Sequence, residues 1–318
     1  MQKNTPSTIA ISIIIPTYNK ADHLARLLPT LSAQRFDHQL FEVIIVDDGS
    51  SDRTTAIVEL YKDQFLHFTY IRQKNAGIGA ARNAGLKSAR GELISFLADD
   101  YVLDPEYLAK MSSVFADPSI HGIRPLFSSL GKSPVEIAFQ TFQFDSFNQS
   151  TQSEFSKIYR SPTPLSWGGA SMTRRQVFDD FGPFCESFST GEDSEYAWRL
   201  ARSNIHIHIF SEVLFQIKNR TCFFQANRRL YEYAFNGVHM KRRLGYSRLP
   251  SAKTPKSSFS VRLIRLVTKP VINSFRQTDN IYQALGSIPI AYCMTIVMVV
   301  GLLCGRWSAQ KQKIASAV

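Results

Sequence analysis

Two pairs of adjacent carboxylates close apolar runs in the first third of this sequence: Asp47-Asp48 ends FEVIIVDD (41–48) and Asp99-Asp100 ends ELISFLADD (92–100). Paired hard oxygens of this kind suit Mg²⁺ or Mn²⁺, and such a cation can neutralise a phosphorylated ligand. An acid at the first pair can also accept hydrogen bonds from a base N–H or from ribose hydroxyls. Each pair has a plainer reading: Asp99-Asp100 as a solvated cap before Tyr101, and Asp47-Asp48 with Gly49-Ser50-Ser51-Asp52 as a turn and helix cap.

A third acidic pair, Glu192-Asp193, follows Gly191 where a helix pattern begins. It reads as a cap, or as a general base that takes a proton from an attacking hydroxyl. Upstream, Gly168-Gly169 lets a ligand approach the backbone closely. Gly77-Ile78-Gly79 resembles the start of a dinucleotide fingerprint, but the third glycine and the later strand-end acid are missing. Arg82 and Asn83 beyond it read as polar donors to a nucleotide, or as a helix-surface pair.

The elements that must position these groups are legible from periodicity. The runs ISIIIP (11–16), FEVIIVDD (41–48), HFTYIRQ (67–73) and ELISFLADD (92–100) are buried-strand patterns. Helical patterns lie between them, ending near Gln34, starting at Ser51-Asp52, and covering 79–89. Apolar strands alternating with helices predict a doubly wound, mostly parallel α/β sheet whose ligands gather at the carboxyl ends of the strands. Both early acidic pairs fall at such ends, as do Tyr18 and Asn19. Residues 118–165 show little periodicity and read as a variable, substrate-facing segment. Helices are then expected over 192–203 and 223–244, with a strand over 205–210.

Composition narrows the setting. The 318 residues carry 37 Lys and Arg against 26 Asp and Glu, a formal charge of +11, which favours an anionic partner. The four cysteines show no paired or metal-ligand spacing, and MQKNTPSTIA has no signal-peptide pattern, so the N-terminal part is expected in the cytosol. Between 241 and 280, ten basic residues face one acid, Asp279, and residues 281–305 then run without a charge. A helix of that length reaches ~37 Å, enough to cross a hydrocarbon core of about 30 Å or to lie along its surface. The basic run suits an anionic membrane surface, and without interleaved aromatic platforms it does not suit nucleic acid.

Taken in order, ISIIIPTYN (11–19), EVIIVDDGSSDRT (42–54), NAGIGAARNAGLKSARGELISFLADD (75–100), SWGGASMTRRQVFDDFGPF (166–184) and GEDSEYAWRL (191–200) resemble family 2 glycosyltransferases with the GT-A fold. The resemblance covers roughly residues 9 to 245. It implies an inverting transfer of one sugar from a nucleotide sugar, with a UDP-sugar favoured, to a glycan or lipid-linked acceptor. Pro16, Tyr18, Asn19 and Asp48 would line the nucleotide site, with Arg82, Asn83, Asp99, Gly168 and Gly169 beside it. Asp100 would hold the divalent cation, and Asp193, with Glu192 next to it, would be the catalytic base. Two positions depart from the family pattern: Ala98 stands where the first Asp of an Asp-x-Asp motif belongs, and Gln216 where many relatives have a metal-binding His. They leave open a second reading, a non-catalytic GT-A-fold protein that binds a nucleotide sugar or a partner glycosyltransferase. The expected organisation is 1–117 for the nucleotide-sugar half and 118–245 for the acceptor and base half. A basic juxtamembrane region over 246–280, a spanning or interfacial helix over 281–305 and a basic tail over 306–318 follow.

Overall fold

A computed structural model describes residues 9–131, 133–139, 158–160, 169–188, 190–218, 222–243 and 281–315. They fall into two compact units, one within 1–128 and 153–217, the other within 129–152 and 218–318.

The first unit is built on a mixed sheet. Strands β1 (Ile11–Thr17), β2 (Phe41–Asp47), β3 (Phe68–Arg72) and β4 (Leu93–Phe96) are parallel in the order β3-β2-β1-β4. Every residue of β1 and β2 is buried, as apolar runs covered on both faces must be. Pro16 lies past Ile14, the last β1 residue paired with β4, so the ladder on that side has ended before the residue that lacks an N–H. Helix α1 (Ala21–Ser32) buries Leu24, Leu27, Leu28 and Leu31, the spacing of a single helical face. Helices α2 (Thr54–Tyr61) and α3 (Ile78–Ser88) complete the alternation expected from the sequence.

Beyond β4 the sheet turns antiparallel. Strand β5 (Tyr101–Leu103) is followed by α4 (Tyr107–Ser113), β6 (Gly122–Ser129), a short helix α5 over 134–139, and β7 (Ile158–Arg160). After them come β8 (Ser171–Arg174), α6 (Arg175–Phe181), α7 (Glu192–Arg202) and β9 (Ile207–Ile217). The order continues β4-β8-β6-β9-β5, with β7 on β9. The segment read as lacking periodicity thus holds β6, whose first four residues are all buried and therefore show no alternation.

The second unit contains α5, helix α8 (Phe223–Arg243) and helix α9 (Ile281–Ala315). Their common core is Ala138, Phe139, Ala226, Leu230, Ala291 and Met294. The proposed juxtamembrane region, 246–280, lies outside the described residues.

Candidate active site

The carboxyl ends of β1, β2 and β4 lie side by side, and Thr17 joins the two early acidic pairs. Its carbonyl accepts the Asp48 N–H at 2.9 Å, while its hydroxyl donates to Asp99 Oδ2 at 3.0 Å. With parallel strands spaced by about 4.8 Å, Asp48 and Asp99 therefore flank one residue on a shared rim.

Asp47 and Asp48 divide their work. Asp47 is fully buried, accepting from the Ser50 N–H at 2.7 Å and the Tyr70 hydroxyl at 2.7 Å, which ties β2 to β3. Asp48 turns toward the loop before α3. Its Oδ1 accepts from Gln73 Nε2 at 2.7 Å and the Ala76 N–H at 2.9 Å, and its Oδ2 from the Gly77 N–H at 2.9 Å. Gly77 has φ 92°, a left-handed conformation that only glycine adopts without strain. Asp48 thus shapes the entry to α3, and a carboxylate with up to four acceptor positions keeps capacity for a ligand donor.

Tyr18 and Asn19 follow β1 at the same rim. Tyr18 is 48% exposed. Asn19 sits at φ 53°, which its short amide tolerates, and its Oδ1 accepts the Ser51 N–H at 2.8 Å. Asp52 binds the starts of both α1 and α2, accepting the Ala21 N–H at 3.0 Å and the Thr54 N–H at 3.0 Å. Burial works against its ionisation, but hydrogen bonds from Thr54 and Ala21 outweigh it, so the carboxyl lies below its ordinary range.

At the end of β4, His23 on α1 places Nδ1 3.5 Å from Asp99 Oδ1, and that buried nitrogen has no hydrogen-bond partner. Among the described residues no group of three or more His, Cys, Asp and Glu forms a ready cation cage. Two adjacent carboxylates still fit Mg²⁺ or Mn²⁺ when phosphate oxygens and water complete the shell, as these ions prefer. Gln216 lies in β9, paired in register with Val102.

The third acidic pair reaches this region through buried charges. Arg82 on α3 and Glu192 at the start of α7 form an ion pair in which both side chains are almost completely buried. The guanidinium also lies 5.3 Å from the Phe184 ring centre and 5.9 Å from that of Phe96. Burial pushes the Glu192 carboxyl above its ordinary range, against the pull of Arg82 and with that of Asp193. Asp193, half-buried, accepts the Ser194 N–H at 2.7 Å. It also acts electrostatically on Arg124 of β6, a guanidinium that burial makes easier to deprotonate. Arg124 in turn interacts with Tyr101, whose phenol is pushed up by burial and by the neighbouring Asp100. The sequence Asp100, Tyr101, Arg124, Asp193, Glu192, Arg82 is therefore one connected set of charges and dipoles.

Gly169 completes it: a Cβ there would lie 2.9 Å from Tyr101 Cζ and nearer still to its hydroxyl, so the absent side chain makes room for this ring. The next residue, Ala170, is held at φ 59° with its N–H on the Phe96 carbonyl at 2.8 Å, a strained link from β8 to the end of β4. Gly168 lies outside the described residues. Asn83 serves the fold instead. Its amide donates to the Phe184 carbonyl at 2.9 Å and Glu186 Oε1 at 2.8 Å, and accepts the Phe184 N–H at 3.0 Å. Both its donors hold the 184–186 loop over α3. Thr17 and Arg124 escaped the sequence reading because each is a polar residue inside an apolar strand run, and His23 because it is one of several polar residues on an amphipathic helix.

Acids gathered at the ends of parallel strands, tied through Arg82 and Glu192 to an acid-bearing helix from the antiparallel half, accord with a GT-A-type enzyme for nucleotide-activated sugars. The chain belongs to the family described as Glycosyl transferase family 2, whose model matches residues 12–182, and it is a glycosyltransferase. It is 29% identical over 252 residues to EpsH of Bacillus subtilis (strain 168), a glycosyltransferase by name, covering 71% of this chain and 72% of that one. It is 38% identical over 107 residues to the poly(ribitol-phosphate) beta-N-acetylglucosaminyltransferase TarS of Staphylococcus aureus (strain Mu50), covering 33% of this chain and 18% of TarS. Residues 1–349 of S. aureus TarS, solved with UDP-GlcNAc, share the fold at a TM-score of 0.54 and 18% identity over 92% of each chain. The mannosyltransferase PcManGT from Pyrobaculum calidifontis, solved with GDP-Man and Mn²⁺, does so at 0.63 and 15% identity, over 96% of this chain and 91% of that one.

Proposed function

We propose that this glycosyltransferase moves one sugar, with inversion, from a UDP-sugar to a hydroxyl of a lipid-linked or surface-glycan acceptor at the cytoplasmic side of a membrane. The observation that carries the reading is the double tie of Thr17 to Asp48 and Asp99, with the Arg82–Glu192 pair fixing the helix that bears Asp193 to the same half of the sheet. Tyr18 offers an exposed ring for the base, Asp48 an acceptor for its N–H or for ribose, and the Pro16 backbone lines the strand end. Asp100, with Asp99 beside it, would hold the divalent cation. A bound Mg²⁺ or Mn²⁺ supplies charge neutralisation for a departing diphosphate.

In the transfer, the acceptor oxygen forms a bond to the anomeric carbon as the carbon–oxygen bond to the diphosphate breaks, the bonding pair leaving with the diphosphate. The acceptor proton goes to the Asp193 carboxylate. Attack from the face opposite the leaving group inverts the anomeric centre. The absence of a Gln-x-x-Arg-Trp sequence supports transfer of a single sugar over polymerisation. Helix α9, with its apolar stretch over Leu285–Ser308, supports attachment to a membrane.

The test pairs thermal shift with turnover. A UDP-sugar should raise the melting temperature more with Mn²⁺ than without, since a ligand that binds only the folded state stabilises it. Asp193→Asn should keep that shift while slowing transfer by about 10²–10⁴-fold, the usual range for loss of a general base. Full activity in Asp193→Asn removes the assigned base; absence of any shift with every nucleotide sugar removes the donor site.

A further inference from the structure

Helix α9 presents two unlike faces. Ser287, Ala291, Met294 and Gly301 are buried, three to seven residues apart on one side. There Ala291 and Met294 join Ala226 and Leu230 of α8, and a Cβ on Gly301 would lie 2.9 Å from the Tyr231 carbonyl and 3.0 Å from Ala234. The opposite side exposes Leu285, Ile296, Val300, Leu303 and Trp307, a stripe of ~33 Å at 1.5 Å per residue.

The partner helix decides what this stripe can mean. Leu230 and Tyr231 of α8 lie level with residues 291–301, the middle of the apolar stretch Leu285–Ser308. In the same turns α8 carries Arg228, Arg229 and Glu232, joined by ion pairs of 3.0 and 3.4 Å, and the Arg228 side chain is 82% exposed. Were α9 to cross a bilayer, those three charges would sit at mid-depth, where exposed charge is strongly disfavoured. Lying flat removes the conflict, with the stripe in the lipid and α8 on the aqueous side.

We infer that α9 lies in the plane of an anionic membrane, with the stripe from Leu285 to Trp307 sunk into the interface. The inference rests on the membrane attachment proposed above. Charge complementarity selects the occupant: exposed Arg306 flanks Trp307, and the sequence adds Lys311 and Lys313 after it and ten basic residues between 241 and 280. Tryptophan beside arginine is the pairing expected at headgroup depth. Two copies joined through the stripe would bring these like charges together, which opposes self-association.

The test uses the full chain and vesicles of phosphatidylcholine with or without phosphatidylglycerol. The protein should float with the anionic vesicles, be extracted by alkaline carbonate, and leave 311–318 cleavable only by protease added outside. The Ile296→Asp/Leu303→Asp variant should bind vesicles about tenfold or more weakly, with the nucleotide-sugar thermal shift retained. Carbonate resistance with cleavage of 311–318 by trapped protease shows a crossing helix and overturns the in-plane placement. No flotation with either vesicle removes membrane attachment itself. A dimer that the double variant dissolves, without lipid binding, assigns the stripe to a second copy instead.

Discussion

Arg82 and Glu192, 110 residues apart in sequence, close a buried ion pair that fastens the helix opening with Glu192-Asp193 to the parallel half of the sheet. The pair lies against Phe96 and Phe184, so water is not available to replace either partner. Its worth is positional: it sets where α7 begins, and so where the following carboxylate stands.

Removing one partner should therefore hurt more than removing both. Arg82→Met leaves a buried carboxylate alone and is expected to cost about 3–5 kcal/mol, whereas Arg82→Met/Glu192→Leu should cost much less. Urea unfolding of the single and double variants checks this. Equal losses would mean that the pair does not act as a unit.

Arg124 should act on turnover through Asp193. Arg124→Met is expected to lower kcat by up to about 10²-fold, the lower end of the range for losing one oriented electrostatic group, with the donor thermal shift kept. In the Asp193→Asn background the same change should add little, and Arg124→Lys should restore part of the rate. Steady-state kinetics on the four combinations measure the coupling.

Gly169→Ala should clash with the Tyr101 ring and destabilise by about 1–3 kcal/mol, the range for overpacking a buried site. Adding Tyr101→Phe removes the nearest atom and should recover part of the loss. Denaturant midpoints of the single and double variants decide it.

Asp52 caps the first turns of α1 and α2 with one carboxylate, so Asp52→Ala is expected to cost about 1–2 kcal/mol at neutral pH. Because its folded pKa is depressed, the ionic part of this stability is present above the unfolded value near 3.8 and is lost as pH falls through the lower folded value. The stability gap between wild type and variant should thus narrow as pH falls below 3.8, as thermal unfolding across an acid pH series would show.

The sequence by itself determined the parallel half and the positions of all three acidic pairs. Continuous apolar runs such as ISIIIP and FEVIIVDD can be satisfied only by strands covered on both faces, and period and burial there are local properties. It also marked 281–305 as a long apolar helix, since length and hydropathy are additive along a chain. Tertiary structure alone decided what each polar group touches. Asn83, legible as a donor to a ligand, spends both its donors on Phe184 and Glu186, and Gly169, legible as room for a ligand, makes room for Tyr101. The roles of Arg124 and of Thr17, and the charged turns of α8 beside α9, likewise depend on neighbours distant in the chain. Local periodicity reports which face of an element is dry; it carries no record of the partner brought against that face when the sheet closes.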